Sequence, residues 1–186
     1  MIIPGTIGLI VDGIVFCIIL FLLYVLSMVW PPDSPWAPWW QMPKDIIRKM
    51  YKMVGLSKKD IVYELGCGAA NAMVIADVEF GAKAIGIDID TLRILSAKWN
   101  IFKNKAQVKI IKRNFFRVNL SDATVIIIYL VPKALGRLAP KFFQELKSGT
   151  RIVSYKYKFP EEIKDKRLQL FKEDKKQEIY VYKRLK

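Results

Sequence analysis

The chain has no histidine, only two cysteines, and no lysine or arginine among its first 40 residues. Each absence excludes something. Without histidine there is no Ser-His-Asp triad, no imidazole metal cluster and no imidazole general base. Cys17 sits in an apolar run and Cys67 between two glycines, so both are read as reduced thiols, Cys67 as a small filler rather than a nucleophile. The missing early cations divide the chain in two. All 31 basic side chains, and all but two of the 17 acids, fall in residues 41–186, which makes that part strongly positive.

The first part is dominated by "GIVFCIILFLLYVLSMVW", from Gly13 to Trp30. As a helix, these 18 uncharged residues are about 27 Å long, close to the ~30 Å hydrocarbon core of a bilayer. Ile7 to Val11 lengthen it enough to span, with Asp12 near one interface. A cleaved signal peptide would show a charged start, a shorter apolar run and a small-residue cleavage site, none of which is present. Residues 1–30 are therefore expected to form a transmembrane anchor.

Residues 31–42 read as an interfacial linker. Its prolines stop the helix, and Trp30, Trp36, Trp39 and Trp40 suit the half-wet headgroup layer. Cations begin at Lys44, so the positive-inside bias puts residues 43–186 on the cytoplasmic side, which is the matrix side in a mitochondrion. A tethered basic body finds an anionic lipid surface beside it, worth about 1 kcal/mol per well-placed cation. That partner is favoured over nucleic acid.

From Pro43 onward, strands alternate with helices. "KDIIRKMYKMVG" repeats apolar residues at helical spacing and ends at Gly55. Strands "DIVYEL", "AKAIGIDI", "QVKIIKR", "ATVIIIYLV" and "TRIVSYKYKF" follow, separated by helical segments from Ala69, Asp90 and Pro132. "LQLFKE" and "EIYVYKRL" close the chain as a hairpin around "DKKQ". Alternation implies βαβ units and a mostly parallel sheet, and the hairpin adds one antiparallel strand. Ligands bind such sheets beyond the carboxyl ends of the strands, at the switch point beside the first. Glu64 to Asn71, Asp88, Asn114 and Tyr129 are expected there.

"YELGCGAAN" is the informative loop. Gly66 and Gly68 let the backbone turn tightly and approach a ligand. Glu64 would repel a pyrophosphate but suits a cationic amino group. Asp88, at the end of the second strand, is placed to accept hydrogen bonds from a ribose. Two such acids, with Ala70 where a dinucleotide loop has its third glycine, favour S-adenosyl-L-methionine over NAD.

The run "GLSKKDIVYELGCGAANAMVIA…GAKAIGIDID" resembles the first two motifs of seven-β-strand methyltransferases. The resemblance extends through "RNFFRVNLSDATVIIIYLVPKALGRLAPKFFQELKSGTRIVSYKYKFP" to membrane-anchored protein-lysine methyltransferases and their prokaryotic relatives. These act on ATP synthase subunit c and the adenine nucleotide translocase. It covers residues 43–160 and implies a Rossmann-like seven-strand fold. By the same resemblance, Glu64, Gly66 and Gly68 hold the methionine part of S-adenosyl-L-methionine, and Asp88 holds the ribose. Asn114, Phe115 and Phe116 meet the adenine or border the methyl site, and Tyr129 and Pro132 line the mouth for the target chain. Phe116 and Tyr129 are the candidate catalytic pair, holding an amine by cation–π contact. The chain departs from the family at Ala69, Ala70 and Asn71, where an acid, a glycine and a basic residue are usual. It also has Asn114 for an acid and Phe116 for a tryptophan.

The leading expectation is a methyltransferase for lysines of membrane or membrane-associated proteins. A lipid or small amphiphilic amine is an alternative substrate. A non-catalytic anchored interaction module is the third reading. Neither metal nor histidine is needed, because the sulfonium is already activated and alignment of the nucleophile supplies much of the rate. "YLVP" also lacks the Asn/Asp-Pro-Pro-aromatic loop common in enzymes that methylate exocyclic base amines.

Overall fold

The computed structural model describes residues 4–29, 40–161, 163 and 167–186. Helix α1 (Pro4–Val29) contains the expected apolar run, and Gly8–Leu26 is long and apolar enough to cross a membrane. No residue of that stretch is buried. Trp30, Trp36 and Trp39 lie outside the described residues; Trp40 is described and exposed.

The body begins with α2 (Lys44–Val54), which buries Ile46, Ile47, Met50, Tyr51 and Val54 and turns its lysines outward. It stops at Gly55, whose φ of 66° is left-handed and suits a residue without Cβ. Then come β1 (Ile61–Leu65), α3 (Asn71–Phe80), β2 (Lys83–Asp88), α4 (Thr91–Lys103) and β3 (Val108–Lys112). A one-turn 3-10 helix (Phe115–Arg117) precedes β4 (Val125–Ile128), α5 (Pro132–Glu145) and β5 (Arg151–Tyr155). The hairpin is β6 (Leu168–Asp174) and β7 (Ile179–Arg184).

The seven strands lie in the order β3-β2-β1-β4-β5-β7-β6. β1 to β5 pair in parallel, and β7 runs antiparallel to both of its neighbours. The expected sheet is therefore present. Alternation along the strands makes two apolar layers: Val62, Val125 and Val153 pack against α2 and α3, whereas Tyr63, Leu65, Ile126 and Ile152 pack against α5. β4 is buried on both faces, which accounts for its unbroken apolar run.

β4 ends sooner than its sequence suggests, at Ile128 rather than Val131. Pro132 holds Val131 extended (φ −63°, ψ 153°) as the residue before a proline, and α5 starts there. Tyr129, Leu130 and Val131 are thereby released from the ladder at the carboxyl end of the sheet.

The opposite end is clamped by Asp60, buried just before β1. One carboxylate oxygen accepts from Thr124 Oγ1 at 2.7 Å and from the Arg151 guanidinium; the other accepts from Ser57 N at 2.9 Å. Arg151 also donates to the Val54 carbonyl at 2.6 Å, so α2, β1, β4 and β5 meet at one carboxylate. Burial alone would raise this pKa, but the hydrogen bonds from Thr124 and Ser57 and the Arg151 charge outweigh it. The Asp60 carboxyl therefore lies below its ordinary range.

The loop after β1 takes three successive left-handed or turn positions: Gly66 at φ 81°, Gly68 at φ 50° and Ala70 at φ 57°. Ala70 thus adopts the glycine-type conformation of the motif while keeping its methyl fully buried. Left-handed strain costs an alanine ~1–2 kcal/mol. Losing one buried methyl and gaining chain entropy costs a glycine a similar amount.

Ala70→Gly should accordingly change unfolding free energy by no more than about 1 kcal/mol, whereas β-branched Ala70→Val should cost ~2 kcal/mol or more. Chemical denaturation of the full chain in detergent reads both. Asp60→Asn should cost about 2–3 kcal/mol at neutral pH, since it unpairs Arg151. The difference from the wild type should persist above the ordinary carboxylate pKa of ~3.9 and shrink as pH falls through the lower folded value. A gap that stays constant down to pH 2 would show that the carboxylate charge contributes nothing.

Candidate active site

At the carboxyl ends of β1 and β2, loop and strand are tied together by Asp88. Its Oδ2 accepts from the Gly68 amide at 2.8 Å, and its Oδ1 accepts from the amides of Ile89 at 2.8 Å and Asp90 at 3.0 Å. Gly66 and Cys67 both donate to the Ile87 carbonyl, at 2.8 and 2.9 Å. Cys67 packs so closely on β2 that a Cβ on Gly86 would lie 2.8 Å from its sulfur, so Gly86 is as necessary to the loop as the loop glycines. Burial pushes the Cys67 thiol pKa well up, with Glu64 and Asp88 adding to it. The group stays a neutral filler.

Glu64 ends β1 beside this turn. It is 5% exposed, and its Oε2 has no hydrogen-bond partner among the described residues. Burial, then the nearby Asp88 carboxylate, raises its pKa well above the ordinary value. A buried acid oxygen without a donor is costly. It is the kind of group that a cationic ligand satisfies.

Glu64, Gly66, Cys67 and Gly68 line a narrow pocket of about 40 Å³, and Arg93 enters the same pocket from α4. Arg93 is only 6% exposed. Sequence reasoning missed it, although a signal existed: Arg93, Ile94 and Ala97 share the buried side of α4, so a cation stands on a core-facing position. Asn71 and Asn100 hold the loop exit. Asn100 Nδ2 donates to the Ala69 carbonyl at 2.8 Å and to Asn71 Oδ1 at 2.9 Å.

A wider cleft of about 420 Å³ adjoins the pocket and shares Trp40, Gln41 and Tyr129 with it. Tyr155 at the end of β5, and Lys156 and Tyr157 just after it, complete its walls. The Tyr129 and Tyr155 rings meet edge to face at 4.9 Å. Burial raises the Tyr129 phenol pKa despite the opposing charge of Lys156, so it remains protonated near neutral pH. Lys156 itself pairs with Glu178 at 3.2 Å. No aspartate or glutamate is among the residues that line this cleft.

The expected residues thus divide. Glu64, Gly66, Gly68 and Tyr129 line these two adjoining spaces, and Asp88 is hydrogen-bonded to their loop. Asn114, Phe115 and Phe116 line neither. Asn114 accepts from the Phe116 amide at 3.0 Å and caps the 3-10 turn. Phe116 stacks on Phe115 at 4.7 Å and lies beneath the Arg137 guanidinium at 4.8 Å. Tyr155 and Tyr157 could not be found from local pattern, because β5 reaches β4 only through the sheet order; Trp40, expected at the headgroup layer, lines both spaces.

These residues fit S-adenosyl-L-methionine. The partnerless Glu64 oxygen suits its α-ammonium, Arg93 offers the opposite charge for its carboxylate, and Asp88, hydrogen-bonded to the same loop, is an acceptor of the kind a ribose diol needs. No group of three or more potential metal ligands occurs among the described residues.

Residues 64–166 match the ANTKMT methyltransferase domain family. A protein-lysine N-methyltransferase of Saccharolobus islandicus (strain REY15A) is 38% identical over 133 residues, covering 70% of this chain and 81% of that protein. An RNA methyltransferase from Salinibacter ruber, solved with S-adenosyl-L-homocysteine, superposes with a TM-score of 0.67 at 26% identity, covering 77% of this chain and 91% of that one. A methyltransferase from Pyrococcus furiosus has the same fold (TM-score 0.60, 16% identity), with coverage of 89% and 96%. The chain belongs to the ANTKMT methyltransferase domain family and is a methyltransferase that uses S-adenosyl-L-methionine.

Proposed function

We propose that this enzyme methylates lysine side chains of membrane or membrane-associated proteins, held to the bilayer by α1 with its body on the cytoplasmic side. The observation that carries the lysine assignment is the aromatic, carboxylate-free cleft beside the Glu64–Arg93 pocket. Such walls accept a long apolar stem, and their ring faces attract an ammonium as it enters. The 38% identical lysine methyltransferase supports the same substrate class.

Bound, the cofactor supplies a methyl group on a sulfonium. The chain must then present a neutral amine, although a free lysine has a pKa of ~10.4. Desolvation by Tyr129, Tyr155 and Trp40 favours the neutral form, and so does the positive sulfonium beside it. Tyr129 keeps its own proton and serves to position the amine, while water carries the released proton away. Glu64 binds the cofactor's ammonium, Arg93 its carboxylate and Asp88 its ribose. Arg93 stands in for the basic residue that Asn71 replaces in the loop. Asn114, Phe115 and Phe116 follow β3 at the Asp88 side of the sheet; this supports a place near the adenine better than one at the methyl group.

At pH values where the raised Glu64 carboxyl is still protonated in the free protein, S-adenosyl-L-homocysteine should release a proton on binding, because its ammonium draws that pKa back down. Calorimetry in buffers of different ionisation enthalpy reads this directly. Glu64→Gln should abolish the release and weaken binding roughly 100-fold, or about 2.7 kcal/mol. Unchanged affinity would remove Glu64 from the site. Tyr129→Ala should lower kcat/KM about 10–100-fold, with analogue affinity within a factor of about three. Incubating the full chain with labelled cofactor and membrane fractions tests the function. Label recovered as methyl-lysine after protein hydrolysis is expected; label confined to the lipid extract or to RNA would reassign the substrate.

A further inference from the structure

Helix α4 is apolar on two opposite sides. Ile94 and Ala97 enter the core, whereas Leu92, Leu95, Trp99 and Phe102 repeat at i, i+3, i+7 and i+10 on the outer side. Leu95, Trp99 and Phe102 are 57, 66 and 75% exposed. At ~100° per residue the four fall within an arc of about 80°, and the stripe runs about 15 Å along the axis. The Trp99 and Phe102 rings lie 6.0 Å apart within it. A surface helix ordinarily carries polar residues there, and a contiguous apolar stripe marks a surface that something covers.

The charges around the stripe indicate what covers it. Lys98 and Lys103 flank it, about 40° and about 20° beyond its two edges by the same helical geometry. Lys109 and Lys112 on the neighbouring edge strand β3, and Lys105 and Arg113 just before and just after it, are all exposed, and Lys112 Nζ donates to Thr91 Oγ1 at the start of α4 at 2.7 Å. Among the described residues, none of these six is in an ion pair with a carboxylate. A second copy of the chain would bring the same six cations against them. An anionic bilayer offers the opposite charge together with an apolar layer just below it.

We propose that α4 and the β3 edge form a second membrane contact. The Leu-Leu-Trp-Phe stripe seats at the boundary between headgroups and acyl chains, and the flanking lysines lie over anionic lipid phosphates. This rests on the membrane reading above, because α1 keeps the bilayer within reach. It also deepens that reading. α4 carries Arg93 into the cofactor pocket, and its cap Asp90 adjoins Asp88, so docking α4 sets the crevice against the lipid surface. The favoured substrates are then lysines lying at headgroup depth, not those on distant soluble domains.

The test uses the full chain in nanodiscs containing one-third phosphatidylglycerol. An environment-sensitive fluorophore is attached at Leu95→Cys in a Cys17→Ser background, with Cys67 buried. A matched label at Gln169→Cys sits on β6, at the opposite edge of the sheet. The label at 95 should shift to the blue and be quenched by headgroup nitroxide lipids at least several-fold more than the label at 169. Purely zwitterionic discs or Trp99→Gln with Phe102→Gln should remove the difference. Both changes are at exposed positions, so unchanged S-adenosyl-L-homocysteine binding verifies the fold.

Carbonate extraction from vesicles of the same lipid scores the anchor separately. A chain that resists extraction while its label at 95 stays in water overturns the α4 contact and leaves the anchor standing. A chain that is extracted yet quenched on anionic vesicles keeps the α4 contact and sinks the anchor. A blue shift without lipid quenching, with two chains per disc, assigns the face to a second copy and overturns the proposal.

Discussion

Everything at the active end of this protein depends on one carboxylate. Asp88 terminates β2 and accepts three backbone amides, one from the loop after β1 and two from the start of its own following turn. Charge-assisted bonds of this kind are the stronger class of hydrogen bond. They hold the Gly66–Gly68 turn against β2 through the Asp88 side chain, and the bare face of Gly86 lets Cys67 close the remaining gap. The cofactor loop is therefore in place before a ligand arrives, so little ordering cost falls on binding.

That rigidity sets the electrostatic problem the site then uses. Two acids, Glu64 and Asp88, are buried within reach of one another, and of the two only Asp88 has both oxygens hydrogen-bonded. Glu64 is left with a high pKa and a partnerless oxygen, a local cost that a cationic ligand relieves. Arg93 brings the opposite charge into the same small space from a different helix. The departures at Ala69, Ala70 and Asn71 do not open the loop. Ala70 adopts the left-handed turn with its methyl buried, and Asn71 is held by Asn100. The other end of the sheet is organised by the same means, with Asp60 drawing Arg151, Thr124 and Ser57 together.

The division of charge has a structural counterpart. The apolar α1 carries no cation, and the cations of the body cluster partly along α4 and β3, where an aromatic stripe faces outward. In the membrane reading proposed above a bilayer would meet the molecule at both places, and the crevice lies at the end of the sheet where α4 begins.

Much of this was readable before any coordinates. Alternating apolar runs with glycine stops determined the strands and helices, because each signal acts within a few residues of itself. The two acids were legible for the same reason: Glu64 precedes a glycine turn and Asp88 closes a strand. Other features had no local signature. Ile128 ends β4 early because a proline governs the residue before it, while the apolar sequence runs on to Val131. Tyr155 and Tyr157 reach Tyr129 only because β5 pairs with β4, a contact between segments 26 residues apart or more. Leu92, Leu95, Trp99 and Phe102 keep helical spacing in the sequence, but so do the residues on the other side of α4. Which side met the core was decided by packing against α3 and β3. The sequence by itself determined the elements, the anchor-like helix and the two acids, since local chain chemistry specifies these. Tertiary structure decided the aromatic cleft, the place of Arg93 and the outward stripe, since each depends on which distant segments the sheet order brings together.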